Sequence, residues 1–131
     1  DYEDMEEWVE RENGMWKEEN LADGYVPSTT LVAKRRKDGR IVAMISIRHR
    51  LNHKLLKSGG NIGYSVRPSE RRKGYGKKMV SLSLPYLKAL GNQKALVTCN
   101  VDNEASRRII LSNGGVYENT IEGIERYWIE L

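Results

Sequence analysis

Phenylalanine is absent from this 131-residue sequence, cysteine occurs once, histidine twice and proline three times. The lone Cys99 can form neither an internal disulfide nor a thiolate zinc site. With only two histidines beside it, no structural or catalytic metal is expected. Three prolines among 12 glycines exclude a collagen-like or proline-rich chain. No apolar run approaches the ~20 residues that a membrane span requires, so no membrane partner is expected. The first twelve residues are acidic, the opposite of the positive start of a secretion signal. Taken with the single cysteine, this leads us to expect a reducing, cytoplasmic setting. The length suits one domain spanning residues 1–131.

The net charge of +4 conceals three blocks. Residues 1–27 carry ten acids and two bases, residues 28–78 fifteen bases and two acids, and residues 79–131 five bases and six acids. Such blocks are commonly solvated faces. The basic middle also suits a polyanion, and charge alone leaves open nucleic acid, a phosphorylated cofactor or an acidic lipid surface.

Residues 4–17 read as an amphipathic helix, because Met5, Trp8, Val9, Met15 and Trp16 recur at three- and four-residue spacings. A strand over 29–36, the Asp38-Gly39 turn and a strand over 40–50 form a hairpin. The inward set of its second strand is Ile41, Ala43, Ile45 and Ile47, or the opposite parity. A short strand follows over 62–66 and stops at Pro68. Ser69 can cap a helical region. A helix opened by Gly74 and Gly76 runs to Leu90, with Pro85 expected to kink or split it. A strand over 95–99, a helix over 103–113 and a hairpin over 120–131 complete the chain. The strand–helix–strand unit at 62–99 requires a parallel pair with a right-handed crossover. The expected class is α/β: a mixed, mostly antiparallel sheet flanked by helices, with a central parallel strand pair.

The informative stretch runs from Val66 through Arg67, Pro68, Ser69, Glu70, Arg71, Arg72, Lys73, Gly74, Tyr75, Gly76 and Lys77 to Lys78. A strand ends, a basic loop follows, two glycines permit close backbone approach and a helix begins. Helix N-terminal amides carry the positive end of the dipole and form an anion site. The pattern is neither a Walker loop nor a dinucleotide fingerprint. Only Tyr64 and Tyr75 lie near the basic cluster, so stacking platforms for nucleic acid are poorly supplied, and no nucleic-acid partner is expected.

Arg71-x-x-Gly74-x-Gly76 after Val-x-Pro resembles the acetyl-CoA motif of the GNAT superfamily of N-acetyltransferases. Asn103, Glu104, Ala105, Ser106, Arg107, Arg108, Ile109 and Ile110, ending in Gly114-Gly115, are similar to the second cofactor segment, and the closing Tyr127-Trp128 strand also fits. The resemblance spans about residues 29–131. In detail it is to small, uncharacterised bacterial acetyltransferases with an Arg-Pro-Ser-Glu-Arg-Arg-Lys-Gly-Tyr core. It implies direct acetyl transfer from acetyl-CoA to a primary amine of a small molecule or peptide. Strands splayed around Val66 and Cys99 would admit the pantetheine arm. The Val66 N–H would polarise the thioester carbonyl. Amides from Arg71 through Arg72, Lys73, Gly74, Tyr75 and Gly76 to Lys77 would hold the diphosphate. Asn103 would bond the pantetheine, and Ser106 would reach it or a phosphate; plain helix capping is the competing role for both.

Two departures stand out. The position of the family's usual acid, a tyrosine, holds Ile110, with Tyr117 as a substitute candidate. A thiolate with a pKa near ~8.5 can leave with little help. The family's leading strand is also expected to be missing here. For the proton of the amine, the candidates are His49, His53 and Glu70. Cys99 reads as a small buried residue rather than an acyl carrier. The acidic segment 1–27 could attract a cationic acceptor. The exposed edge of the last hairpin is a place for a homodimer to form. The alternative reading is a coenzyme A-binding domain with weak or no transferase activity.

Overall fold

The computed structural model describes residues 5–12 as backbone and residues 26–131 throughout. The first three strands are β1 (Met5–Glu12), β2 (Ser28–Arg35) and β3 (Ile41–Arg48), the last two joined by a turn around Gly39. A short helix, α1 (His53–Lys57), leads into β4 (Ile62–Val66) and a 3-10 turn at Pro68–Glu70. Then come α2 (Tyr75–Ala89), β5 (Lys94–Asn100), α3 (Glu104–Ser112), β6 (Val116–Ile121) and β7 (Ile124–Glu130). The seven strands form one sheet in the order β1-β2-β3-β4-β5-β7-β6. Every neighbouring pair is antiparallel except β4–β5. The expected mixed α/β architecture with a central parallel pair is therefore present. Among the described residues no helix is long and apolar enough to cross a membrane.

The amphipathic helix expected over 4–17 is overturned at Met5–Glu12, where the backbone is a strand paired with β2. Residue 4 and residues 13–17 lie outside the described residues. The outer edge of β2 offers a row of N–H and C=O groups, and pairing them outweighs a weak helical periodicity. A strand therefore lies at the edge of the sheet beside β2. On β3, Ala43, Ile45 and Ile47 are buried, but Ile41 is 37% exposed and Val42 is buried instead. A register shift between Ala33 and Lys34 in the β2–β3 pair rotates that end of the strand.

Pro85 does not split α2, which runs unbroken through it. Ser81, whose carbonyl loses its helical partner to the proline, is exposed, as is Pro85 itself, so water can satisfy that carbonyl. The buried face of α2 is Tyr75, Met79, Val80, Ser83 and Leu87. It packs with Ala43, Ile45, Ile47, Ile62, Ala95 and Val97 of the sheet and Ile110 of α3. The last hairpin begins earlier than position 120: β6 starts at Val116, directly after Gly114 and Gly115. Glu122 and Gly123 both have positive φ, the geometry of a tight two-residue turn.

Candidate functional site

The parallel pair positions the site. β4 and β5 share one register point, Ile62↔Val97. Just before it, Asn61 holds the strands together: its N–H donates to the Leu96 carbonyl, and its side-chain Oδ1 accepts from the Leu96 N–H. Gly60 makes this closeness possible, since a Cβ there would stand 2.4 Å from the Leu96 carbonyl oxygen. Beyond Ile62 the two strands pair no further, so a wedge opens between Val66 and Cys99.

The wedge is lined with backbone donors. The Arg67 N–H bonds the Val42 carbonyl and the Arg48 N–H bonds the Asn61 carbonyl, which fixes the alternation of the β3–β4 ladder. By that alternation, the peptide groups of Tyr64 and Val66 face away from β3, toward β5. The Val66 N–H expected to act as an oxyanion donor therefore points into the wedge. The Val66 carbonyl accepts from Arg71 Nε at 3.3 Å.

At the end of β4 the chain turns back on itself. Arg72 has φ +64° and Gly74 φ +90°, both left-handed. Gly74 is the N-cap of α2, and its carbonyl accepts the first helical bond from Lys78 at 3.1 Å. By position, the first-turn amides at Gly76 and Lys77 have no helical acceptor. Gly76 is buried where β4, α2 and α3 meet: a Cβ there would be 2.8 Å from Ile109 Cδ1 and 3.5 Å from Val66 Cγ2. Arg71, Arg72, Lys73 and Lys77 are exposed around this turn. Tyr75 offers only its backbone, because its side chain is buried in the core.

Glu70, a base candidate from sequence, has a different place. It is buried and bonded to Arg35 Nη1, Lys73 Nζ at 2.9 Å and Ser69 Oγ at 3.0 Å. Lys73, helped by Ser69 and Arg35, holds its pKa down to about 2. A carboxylate so occupied anchors the loop to β2 and is a poor proton acceptor. Tyr117 is also displaced, standing on the edge strand β6, two strands from the wedge and 53% exposed. Its hydroxyl pairs with Thr120 Oγ1 at 2.8 Å and its ring meets Tyr127 edge-on. His49 bonds Thr29 Oγ1 at 2.7 Å, and His53 is exposed at the start of α1. Ile110 is fully buried. The side chains of the acidic segment 1–27, apart from Val26 and Pro27, lie outside the described residues.

Asn103 caps α3, its side chain accepting from the Ser106 N–H at 3.1 Å. Ser106 Oγ in turn bonds the phenol of Tyr64 at 2.6 Å. Burial pushes the Tyr64 pKa up. Beside this pair, Cys99 is buried and its thiol is pushed up to about 11, by burial first and then by Glu125. Glu125 is held by Arg107 at 2.8 Å and accepts from the Tyr127 hydroxyl at 3.1 Å. Sequence reasoning assigned no role to Tyr64, Arg107 or Glu125. The available signal was strand alternation, which sets Ile62, Tyr64 and Val66 on one face of β4.

The family model described as Acetyltransferase (GNAT) domain matches residues 1–116. No curated protein matches the sequence. Among solved structures, the chain is similar to yncA of Salmonella typhimurium, a structure with its cofactor acetyl-CoA. The TM-score is 0.62 at 19% identity, over 79% of this chain and 65% of that one. It is also similar to the GNAT domain of S. lividans PAT, with TM-score 0.66 and 12% identity over 85% of this chain and 65% of that one. For the ribosomal-protein-S5-alanine acetyltransferase of Vibrio fischeri the TM-score is 0.64 at 18% identity, over 79% and 61% of the two chains. The chain spans less than two thirds of the length of each. At these identities the likeness shows the fold.

Proposed function

The chain belongs to the GNAT acetyltransferase family, and from that premise we propose that it takes acetyl-CoA as cosubstrate and passes the acetyl group directly to a primary amine. The observation that carries the reading is the one-point pairing of β4 with β5. It opens a slot at the height where the Val66 N–H faces outward, next to an anion-ready helix start. The residues present fit the cosubstrate. First-turn amides from Gly74 to Lys77, ringed by Arg71, Arg72 and Lys73, suit a diphosphate. The peptide groups of Tyr64 and Val66 suit the amides of the pantetheine arm, and Asn103 and Ser106 lie at the opposite wall.

Acetyl-CoA supplies an activated acetyl group on a thiol. The Val66 N–H donates to the carbonyl oxygen as negative charge grows there. Tyr64, the phenol at the wedge, is placed to return a proton to the departing sulfur, with Ser106 orienting it. The amine loses its proton to water in the open cleft, because Glu70, His49 and His53 are committed or placed elsewhere. Cys99, raised to about 11, is mostly thiol at neutral pH and forms no acyl intermediate. The setting proposed is cytoplasmic. Nucleic acid, membrane and metal have no part in this reading, and a homodimer would pair along the β6 edge.

The test is isothermal titration of the chain with acetyl-CoA, repeated on Gly74→Val. Micromolar binding that the substitution removes supports the assignment. Absence of binding by the unaltered chain overturns it. A second reading, a coenzyme A-binding domain with little transfer, is favoured by one observation: Ile110 is fully buried where the family carries a phenol. Turnover of any amine well above the uncatalysed rate rejects that reading.

A further inference from the structure

Resting on the transfer reading for its chemistry, we propose that the sheet face opposite α2 and α3 binds the far end of the acceptor, and that this end is a carboxylate held by Arg48. The acceptor is then a primary amine bearing a carboxylate several bonds from its nitrogen.

Both long helices pack on one face of the sheet, leaving Thr30, Met44, Ser46, Arg48, Gly63 and Ser65 to line a cleft of about 270 Å³ that also touches Tyr64. Arg48 is half-buried there. Its Nη1 donates to the Gly59 and Gly60 carbonyls at 2.8 and 3.2 Å. Its Nη2 lies over Gly63, where a Cβ would approach it to 3.1 Å. The bare glycine is what lets the guanidinium lie flat along the cleft floor.

Arg48 differs from the other enclosed arginines. Arg35 pairs with Asp38 and Glu70, Arg107 with Glu125, and Arg126 with Glu118. Among the described residues no carboxylate pairs with Arg48, and burial lowers its pKa with no acid opposing the shift. A half-buried guanidinium without a counter-charge is costly, and a planar carboxylate matches its fork. The hydroxyls of Thr30, Ser46 and Ser65 supply further donors in the same cleft.

Spacing defines the ligand. Gly63 and Val66 are three residues apart on β4, roughly 10 Å at ~3.3 Å per residue. An amine attacking at Val66 and a carboxylate at Arg48 are therefore separated by a spacer. The α-amine of a free amino acid is too close to its own carboxylate, whereas an ω-amino acid or the side-chain amine of lysine can span the gap.

The experiment uses 6-aminohexanoate and hexylamine, which differ in the carboxylate. Amide NMR titration without acetyl-CoA should show Gly63 and Ser65 shifting with 6-aminohexanoate and not with hexylamine. Arg48→Gln should abolish the shifts. Since Arg48 also holds the Gly59 and Gly60 carbonyls, Ser46→Asp serves as the second variant, placing a carboxylate beside an intact Arg48, and should weaken binding at least tenfold. Equal shifts with both amines, no shift at all, or shifts unchanged in both variants would overturn the carboxylate site. With acetyl-CoA added, 6-aminohexanoate should be acetylated at least tenfold more efficiently than hexylamine. Carboxylate-dependent shifts without turnover would retain the site and reject the transfer reading instead.

Discussion

Tyr64 on β4 and Ser106 on α3 are hydrogen-bonded, phenol to hydroxyl, at 2.6 Å. The bond spans the wedge formed where β4 and β5 part after Ile62 and Val97. It sets a protonated phenol beside Val66, whose side chain and the Tyr64 ring both approach Gly76. Burial raises the Tyr64 pKa above its usual 10, so the phenol keeps its proton throughout the physiological range. In the transfer proposed above, this pair is the donor for the leaving sulfur, because Ile110 carries none.

Tyr64→Phe should lower kcat by on the order of 10²-fold, the low end for loss of a positioned acid, because the thiolate is itself a fair leaving group. The acetyl-CoA Kd should change by about threefold or less. Steady-state kinetics with calorimetry separates the two quantities. In the unaltered chain, kcat/KM should rise about tenfold per pH unit from about pH 6 to 9, following the neutral fraction of an amine with pKa near ~10. A plateau near pH 7 would mean that a protein base takes the amine's proton after all.

Gly74→Ala should cost about 1–2 kcal/mol, since its φ of +90° is one that an L side chain resists. For a domain of this size, that lowers Tm by roughly 3–6 °C. Because Gly74 also caps α2 and sets the first-turn amides, acetyl-CoA affinity should fall at least tenfold. Calorimetry together with a thermal melt measures both. A stability loss with unchanged affinity would separate the turn from the diphosphate site.

Where local rules governed, the sequence was readable. Pro68 ended β4 and Gly74 opened α2, while Asp38 and Gly39 sit in a longer turn than the two-residue one expected, closed by the Arg35 N–H on the Arg40 carbonyl, with only Gly39 at positive φ. The unreadable parts depended on distant partners. Residues 5–12 carry a helical spacing, yet the free edge of β2 draws them into a strand. Glu70 looked like a candidate base because sequence does not show Arg35, which lies 35 positions away and meets it inside the fold. The Tyr64–Ser106 bond crosses 42 positions, and Arg48 acquires its meaning only when strand alternation lays it across Gly63. The glycine turn into α2 was legible because its residues are contiguous, whereas the wedge is made by two strands that meet once.

Glu70 makes an acid-sensitive anchor. Its pKa falls from an ordinary 4.5 to about 2 in the folded chain. A depressed carboxylate contributes stability that is fully present above the unfolded value and is lost as pH falls through the folded one. Tm should therefore decline between about pH 4.5 and 2, and Glu70→Gln should show a smaller decline over that window while starting lower at pH 7. Differential scanning at stepped pH tests this. An identical pH slope in both proteins would mean that the ion pairs with Lys73 and Arg35 contribute nothing to folding.

Cys99 separates direct transfer from a two-step route. Its thiol is buried, lies 3.6 Å from Glu125 Oε1 and is pushed up to about 11. At pH 7.5 on the order of one molecule in 10³ would carry the thiolate that an acyl carrier needs. Iodoacetamide should accordingly label the folded chain far more slowly than the unfolded one. Cys99→Ala should keep kcat within about threefold of the parent, with a modest loss of stability from the small cavity. Mass spectrometry after rapid quench should find no acetyl group on the protein during turnover. A Cys99→Ala protein that still binds acetyl-CoA but turns over at least 10²-fold more slowly would replace direct attack by the amine with an acetyl-cysteine route.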